Sequence, residues 1–276
     1  MGVSIAGEGG GLHDRPCDRR PRARRRRAAR LGHNAVMRVL IAGATGAVGR
    51  VLARLLVADG HQVFGTTRRP ERAAMLASLG VEPLVVDVFD PPALSAAARH
   101  AAPDAVVHQL TDLPNTLDPA AMPAALERNA RIREVGTAHL LEALAQTPAR
   151  RLVVQSIAFI YGPTPPPHRE DDALNVEAED PAAKQSATAV QTMEQLCLAA
   201  AVEALVLRYG YFYGPHTWFS APPGGCAVHV EAAAHAARLA LTNGAAGIYN
   251  VAEPGGSVVV DKAQRDLHWD HGFRQS

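Results

Sequence analysis

The chain has 276 residues, of which 47% are hydrophobic and 20% are charged, so it can form one large globular domain or a domain with an appendage. No apolar run approaches the roughly 20 residues of a membrane-spanning helix, so we expect no membrane partner. Three widely spaced cysteines, Cys17, Cys197 and Cys226, exclude a disulfide framework and favour a reducing, cytoplasmic compartment.

The net charge of +1 conceals an unequal distribution. Residues 1–36 contain nine arginines and three acidic residues, a local balance of +6 that leaves −5 for the remainder. This arginine-rich extension has too little apolar content to form a core, so we expect it to be disordered. The simplest interpretation is that translation begins at Met37. A nucleic-acid tail or a targeting sequence is the alternative, and we do not expect nucleic acid as a partner.

From Met37 onward, patterns typical of strands and helices alternate. This alternation predicts an α/β fold with a doubly wound parallel sheet of the Rossmann type. A segment rich in proline and acidic residues, 162–184, is expected to be a loop over the site. The strands are expected at 38–42, 62–66, 82–86, 105–109, 151–156 and 204–209, and the helices at 47–58, 70–79, 91–100, about 119–145 and about 189–201.

A glycine motif joins the first strand directly to the first helix. Glycines at this junction let backbone amides approach a diphosphate, and the helix N-terminus adds partial positive charge. The strand–turn–helix context predicts a dinucleotide site, whereas the alternative is an ordinary tight turn. The residues expected to hold the diphosphate are Gly43, Ala44, Thr45, Gly46, Ala47, Val48 and Gly49.

The ends of the second and third strands bear on the choice of cofactor. NAD sites favour an acidic residue after the second strand, whereas an arginine there suits the 2′-phosphate of NADP. Arg68 stands at this place, so we expect NADP, with NAD as the alternative cofactor and a solvated surface charge as the other interpretation. Asp87 and Val88 follow the third strand, where the carboxylate can accept from the adenine amine or form part of a turn.

Taken in order, these motifs resemble the extended short-chain dehydrogenase/reductases, and more narrowly the NAD-dependent epimerase/dehydratase family. The resemblance runs from Met37 to about Glu253. Besides the glycine motif, it is carried by residues 108–110, 134–137, 155–162, 207–215 and 247–251.

The resemblance implies a Rossmann domain at 37–215 and a reduced C-terminal substrate lobe with a tail at 216–276. It implies an oxidoreductase that transfers a hydride to or from a sugar-like or carbonyl small molecule, in a cleft that we expect Gln109, Leu110, Ser156 and Tyr161 to line. It also admits a homodimer, because related folds commonly pair through helices beside the site. A cofactor-binding regulator without catalysis is the alternative function.

The catalytic positions of that family are occupied differently in this chain. No tyrosine is followed four residues later by a lysine, and alignment places Ser186 and Val190 at those two positions. The family's catalytic hydroxyl position falls on Ile157. We therefore take Ser156 and Tyr161 as the catalytic candidates. The structural alternative for Ser156 is a strand-end hydroxyl bonded to backbone, and for Tyr161 it is an aromatic ring that only packs.

Three further expectations concern the rest of the chain. The polar composition of 255–276 predicts a loosely held tail, and the stretches after Pro215 and Glu253 are short for a substrate lobe. Arg131 or Arg133 is a candidate to face the cleft and an anionic substrate. No histidine pair has cysteine or carboxylate partners at ligand spacing, so we expect no metal site.

Overall fold

The computed structural model describes residues 35–114 and 116–275. Most of the arginine-rich extension therefore lies outside the described residues. A seven-stranded sheet of parallel strands forms the centre, in the order β3-β2-β1-β4-β5-β6-β9, which confirms the predicted doubly wound α/β fold. Its strands are β1 (Arg38–Ala42), β2 (Gln62–Thr67), β3 (Glu82–Val85), β4 (Ala105–His108), β5 (Arg151–Ile157), β6 (Glu203–Tyr209) and β9 (Gly247–Val251). A separate parallel pair is formed by β7 (Tyr211–Tyr213) and β8 (Ala227–His229).

Helices connect the strands and cover the sheet. Buried aliphatic side chains of the strands, such as Leu40 at 1% exposure, pack against helix residues such as Leu140, also 1% exposed. The helices are α1 (Ala47–Ala58), α2 (Ala73–Ser78), α3 (Pro91–Ala101), α4 (Met122–Arg131), α5 (Thr137–Leu144), α6 (Pro181–Ala199), α7 (Val230–Leu239) and α8 (Asp261–Leu267), with a 3₁₀ turn at Pro70–Arg72 and a π-helical turn at Ile132–Gly136.

Two helices differ from their predicted bounds. The helix expected at about 119–145 begins at Met122 and contains the π-helical turn between α4 and α5. The helix expected at about 189–201 begins at Pro181, so the end of the predicted loop 162–184 is helical. The cause is local: the Asp180 carboxylate accepts a hydrogen bond from the Ala183 N–H at 2.7 Å, and Pro181 stands at the first helical position.

The C-terminal residues are packed, so the expectation of a loosely held tail was wrong. Leu267 in α8 is fully buried, and the Trp269 ring is 3% exposed. The Trp269 indole N–H donates to the Ala232 carbonyl of α7 at 2.8 Å. Two large apolar side chains in a polar segment therefore suffice to anchor it. No helix among the described residues is both long and apolar enough to cross a bilayer.

Candidate active site

A cleft of about 980 Å³ opens at the carboxyl ends of β1 to β5. This is the edge at which ligands bind in open parallel sheets. Ala44, 0% exposed, lies behind the glycine turn and does not line the cleft, and Ser156 does not line it either. The other residues that the sequence predicts to bind the cofactor or to act in catalysis all line the cleft: Gly43, Thr45, Gly46, Ala47, Val48, Gly49, Arg68, Asp87, Val88, Gln109, Leu110 and Tyr161.

The glycine turn fits a diphosphate for steric reasons. Gly43 has a φ of +91°, and a Cβ there would lie 2.5 Å from the Gln109 carbonyl oxygen. A Cβ on Gly49 would collide with the Gly43 carbonyl. A Cβ on Gly46 would meet nothing in the protein closer than 3.5 Å, so this glycine leaves open space above the start of α1. The fold thus requires Gly43 and Gly49, whereas Gly46 keeps the approach to the backbone free for a ligand.

Gln109 presents a buried polar group to the cleft. Its side-chain oxygen and nitrogen have no hydrogen-bond partner among the described residues, although the residue is only 4% exposed. The neighbouring Tyr209 hydroxyl donates to the Ala233 carbonyl at 3.2 Å instead. Buried amides are normally satisfied, so this carboxamide in the wall of the cleft is an exception.

Arginines gather in the cleft beside the glycine turn. Burial lowers the pKa of Arg72, and the positive charges of Arg69, Arg50 and Arg68 lower it further. The Arg68 guanidinium is 43% exposed and donates to the Asp112 carboxylate at 2.6 Å. This surplus of positive charge beside the glycine turn suits phosphate groups.

Asp87 has a local role that the sequence left open. Its Oδ1 accepts a hydrogen bond from the Phe89 N–H at 2.9 Å, which closes a turn after β3. The side chain also lines the cleft. This geometry agrees with the turn interpretation, and contact with adenine stays a prediction.

Ser156 points away from the cleft because side chains alternate along a strand. Its neighbours Gln155 and Ile157 line the cleft, whereas the Ser156 hydroxyl faces α6 and donates to the Glu194 carboxylate at 2.6 Å. Ser156 is 1% exposed. The expectation that Ser156 lines the cleft was therefore wrong, and the hydroxyl has a side-chain partner rather than a backbone one.

Tyr161 lines the cleft, but its hydroxyl belongs to the same buried network as Ser156. It donates to Asn250 Oδ1 at 2.6 Å and accepts from Arg208 at 2.9 Å. Burial raises the pKa of Tyr161, and the Arg208 charge only partly offsets this effect. Arg208 also forms two hydrogen bonds with Glu194, at 2.9 and 2.6 Å. A tyrosine held in this way is poorly suited to accept a proton at neutral pH.

The three catalytic positions implied by the resemblance hold no acid-base pair. Ile157 and Ser186 line the cleft, and Val190 is fully buried one turn further along α6. The two lysines of the chain lie elsewhere. Lys184 pairs with Glu177 at 3.1 Å, and Lys262 donates to the Ile248 carbonyl at 2.6 Å.

Aromatic side chains, which the sequence analysis missed, line the opposite end of the cleft. The Phe159 and Tyr211 rings stack with centroids 3.8 Å apart, and both residues are 40% exposed. Trp218 lies over the cleft, where its indole N–H donates to the Pro114 carbonyl at 2.9 Å. The available signal was the density of aromatic residues between Tyr209 and Phe219. Such a surface suits a flat apolar or aromatic molecule.

Comparisons with known proteins agree with this geometry. A model of the NAD dependent epimerase/dehydratase family matches residues 39–238. Over 213 residues the chain is 43% identical to a 3-diazoavenalumate denitrifying reductase of Streptomyces sp; the match covers 77% of this chain and 66% of that relative, so the chain spans just under two thirds of its length.

Solved structures share the fold. The UDP-glucose 4-epimerase of Thermotoga maritima, solved with UDP-glucose, has a TM-score of 0.69 at 16% identity over 84% of this chain and 93% of that chain. The UDP-glucose 4-epimerase of Thermus thermophilus, solved with NAD, has a TM-score of 0.60 at 24% identity over 78% of this chain and 77% of that chain.

Proposed function

This chain belongs to the NAD dependent epimerase/dehydratase family, as its motifs predicted, and from that premise we propose that it is a nicotinamide-dependent reductase of a small aromatic molecule. The proposed reaction transfers a hydride from the reduced cofactor to a substrate whose leaving group departs without a proton. The observation that carries the proposal is the cleft, which Ile157 and Ser186 line and beside which Val190 is buried, at the three positions where the resemblance leads us to expect acid-base residues.

The chemistry of the reductase relative explains how such a cleft can be active. That relative is named for a diazo substrate and for the loss of nitrogen from it. In a reduction of this kind, R–N₂⁺ and a hydride give R–H and N₂, and the electron pair of the C–N bond leaves with the nitrogen. No proton enters or leaves, so the reaction requires no tyrosine–lysine pair. We extend this class of reaction to the present chain.

The aromatic end of the cleft supports an aromatic substrate. Phe159, Tyr211 and Trp218 expose ring surface there, and stacking between rings favours a flat, electron-poor molecule such as an arenediazonium. Each ring of the stacked pair is partly exposed to the cleft. Covering these rings would add hydrophobic stabilisation to the complex.

The test uses the purified full chain, NADPH and a diazotised aminocinnamate as the probe. We expect protein-dependent oxidation of NADPH, equimolar with the N₂ released, above the rate in a mixture with heat-denatured protein. Deuterium carried by the cofactor's hydride position is expected in the reduced product. Tight NADPH binding without oxidation by any diazo or carbonyl compound would contradict the proposal and favour a cofactor-binding regulator. The burial of the Ser156 and Tyr161 hydroxyls in a structural network is the observation that keeps this second function open.

We further propose that the cofactor is NADP rather than NAD. The solved relative from Thermus holds NAD, so the proposal depends on this chain's own arginines beside the glycine turn. Arg68→Asp is expected to weaken NADPH binding by roughly 10-fold or more, because a charge-assisted bond to the 2′-phosphate is replaced by repulsion, and to leave NADH binding nearly unchanged. Arg99→Asp, an equal charge change on α3 away from the cleft, is the matched control. Fluorescence titration measures both affinities, and an equal loss for both nucleotides would refute the assignment.

A further inference from the structure

Arg133 lies on the turn between α4 and α5. This turn, Ile132–Gly136, is π-helical, a form that is frequent at functional sites, and Arg133 on it lines the cleft. Arg131, two residues earlier, is exposed, and its guanidinium stacks 4.4 Å from the centre of the Phe89 ring. The structure thus separates the two arginines that the sequence offered as contacts for an anionic substrate.

The Arg133 side chain is partly buried, lines the cleft and has no ion-pair or hydrogen-bond partner among the described residues. Burial lowers its pKa to about 10, although the negative charge of Glu194 acts in the opposite direction. Glu194 does not pair with it, because both carboxylate oxygens are bound by Arg208 and one also accepts from Ser156. Within residues 35–114 and 116–275, no carboxylate forms an ion pair with Arg133 and no group accepts a hydrogen bond from it.

The buried charges around this arginine are unequal. Arg133 and Arg208 carry two positive charges, whereas Glu194 supplies one negative charge. His108 does not add charge at neutral pH, because burial lowers its pKa to about 4. A partly buried guanidinium with five N–H donors is stabilised by an acceptor that reaches it from the cleft. We expect the cofactor's phosphates to be held by the glycine turn and its own arginines, which leaves Arg133 for a different anion.

We propose that Arg133 binds the carboxylate of the substrate, which makes the substrate an aromatic carboxylic acid. A carboxylate can accept two parallel N–H bonds from a guanidinium and also neutralises the excess positive charge. The aromatic half of this inference rests on the proposed function. The carboxylate half rests on the geometry and charge around Arg133.

The test measures binding rather than turnover. The full chain is saturated with NADP⁺, and cinnamate and cinnamamide are titrated into it by calorimetry. Wild-type protein is expected to prefer the acid. Arg133→Met is expected to weaken cinnamate binding by roughly 10- to 100-fold, to leave cinnamamide binding unchanged and to leave the NADP⁺ affinity within about twofold. Arg133→Lys keeps the charge and is expected to retain part of the preference.

Arg131→Met is the matched control, because it removes an arginine of the same helical region outside the cleft. It is expected to bind both ligands like wild type. The proposal would be overturned if Arg133→Met lost affinity equally for the acid and the amide, or lost NADP⁺ affinity in parallel. It would also be overturned if wild-type protein bound the amide as tightly as the acid. Because no reaction is needed, a failed reductase assay leaves this test intact.

Discussion

His108 supports the floor of the cleft through two hydrogen bonds, one of which requires a neutral ring. Its Nδ1 accepts from the Leu110 N–H at 3.3 Å, so the proton resides on Nε2, which lies 2.9 Å from the Thr137 hydroxyl. The residue is 2% exposed at the end of β4. The backbone conformation of Gln109 and Leu110 therefore depends on the protonation state of one imidazole.

Acid is expected to destabilise the protein through His108. Its pKa is lowered from 6.5 to about 4, so the unfolded chain binds a proton below pH 6.5 that the folded chain refuses until about pH 4. The contribution to stability is complete above pH 6.5 and decreases by about 3 kcal/mol as the pH falls through this window. Urea unfolding measures the free energies of unfolding of wild type and His108→Gln. The difference between the two should be smaller at pH 4 than at pH 7. A constant gap would contradict this assignment.

The residues whose positions the sequence predicted correctly are fixed by local geometry, whereas those it misplaced depend on features that the local pattern does not show. Gly43 and Gly49 are fixed by local geometry, because strand, turn and helix are contiguous in the chain. The face on which Ser156 lies depends on where the pleat of β5 begins, and a shift of one residue reverses it. Arg133 could be named only as one of two candidates, since a π-helical turn displaces the usual helical spacing.

At the scale of elements, one buried polar network joins α6 to the sheet. Glu194 of α6 binds Ser156 of β5 and Arg208 of β6, and Arg208 reaches Tyr161, which bonds Asn250 of β9. Burial alone would lower the pKa of Arg208, but the bonds and charge of Glu194 raise it above its ordinary value. The network therefore acts as a structural clamp, defined by Ser156, Tyr161, Glu194, Arg208 and Asn250, in which Arg208 stays charged.

Removing one charge from this network should lower the stability of the folded protein. Glu194→Gln leaves Arg208 buried without its counter-ion, and we expect a loss of about 3–5 kcal/mol in the free energy of unfolding. The double variant Glu194→Leu with Arg208→Met removes both charges, so it should lose less free energy of unfolding than Glu194→Gln. Glu177→Gln, which breaks the exposed pair with Lys184, is the control and should change stability by less than about 1 kcal/mol. Urea unfolding at pH 7 measures the stability of all three variants. If Glu194→Gln were as stable as the Glu177→Gln control, the buried network would not stabilise the fold as proposed.

The sequence predicted β1 to β6 and the helices up to α6 because hydrophobic periodicity is a local signal, but it left β7, β8, β9 and α7 unassigned. It placed the start of α6 too late, although Asp180 followed by Pro181 is a recognisable helix start. It left α8 unassigned because a seven-residue helix held by Leu267 and Trp269 has too few apolar positions to produce a clear pattern. Short elements stabilised by distant contacts are the ones that local patterns miss.

At the scale of the molecule, the cleft combines parts that are far apart in the chain. Trp218 and Pro114 meet over it although 104 residues separate them, and no local pattern predicts that contact. The predicted division at residue 215 stays a prediction, while β9 within 216–276 pairs with β6 in the main sheet. The cofactor half and the segment assigned to substrate binding therefore share one sheet.

The position of β9 at the sheet edge has a consequence for biosynthesis. Until the ribosome has added Gly247–Val251, β6 has an unpaired edge and the Tyr161 hydroxyl lacks its acceptor Asn250. Unpaired edges invite pairing with other chains. The nascent polypeptide is therefore expected to expose the edge of β6 until residues 247–251 have emerged, and to complete the sheet and the Tyr161 contact only after that point.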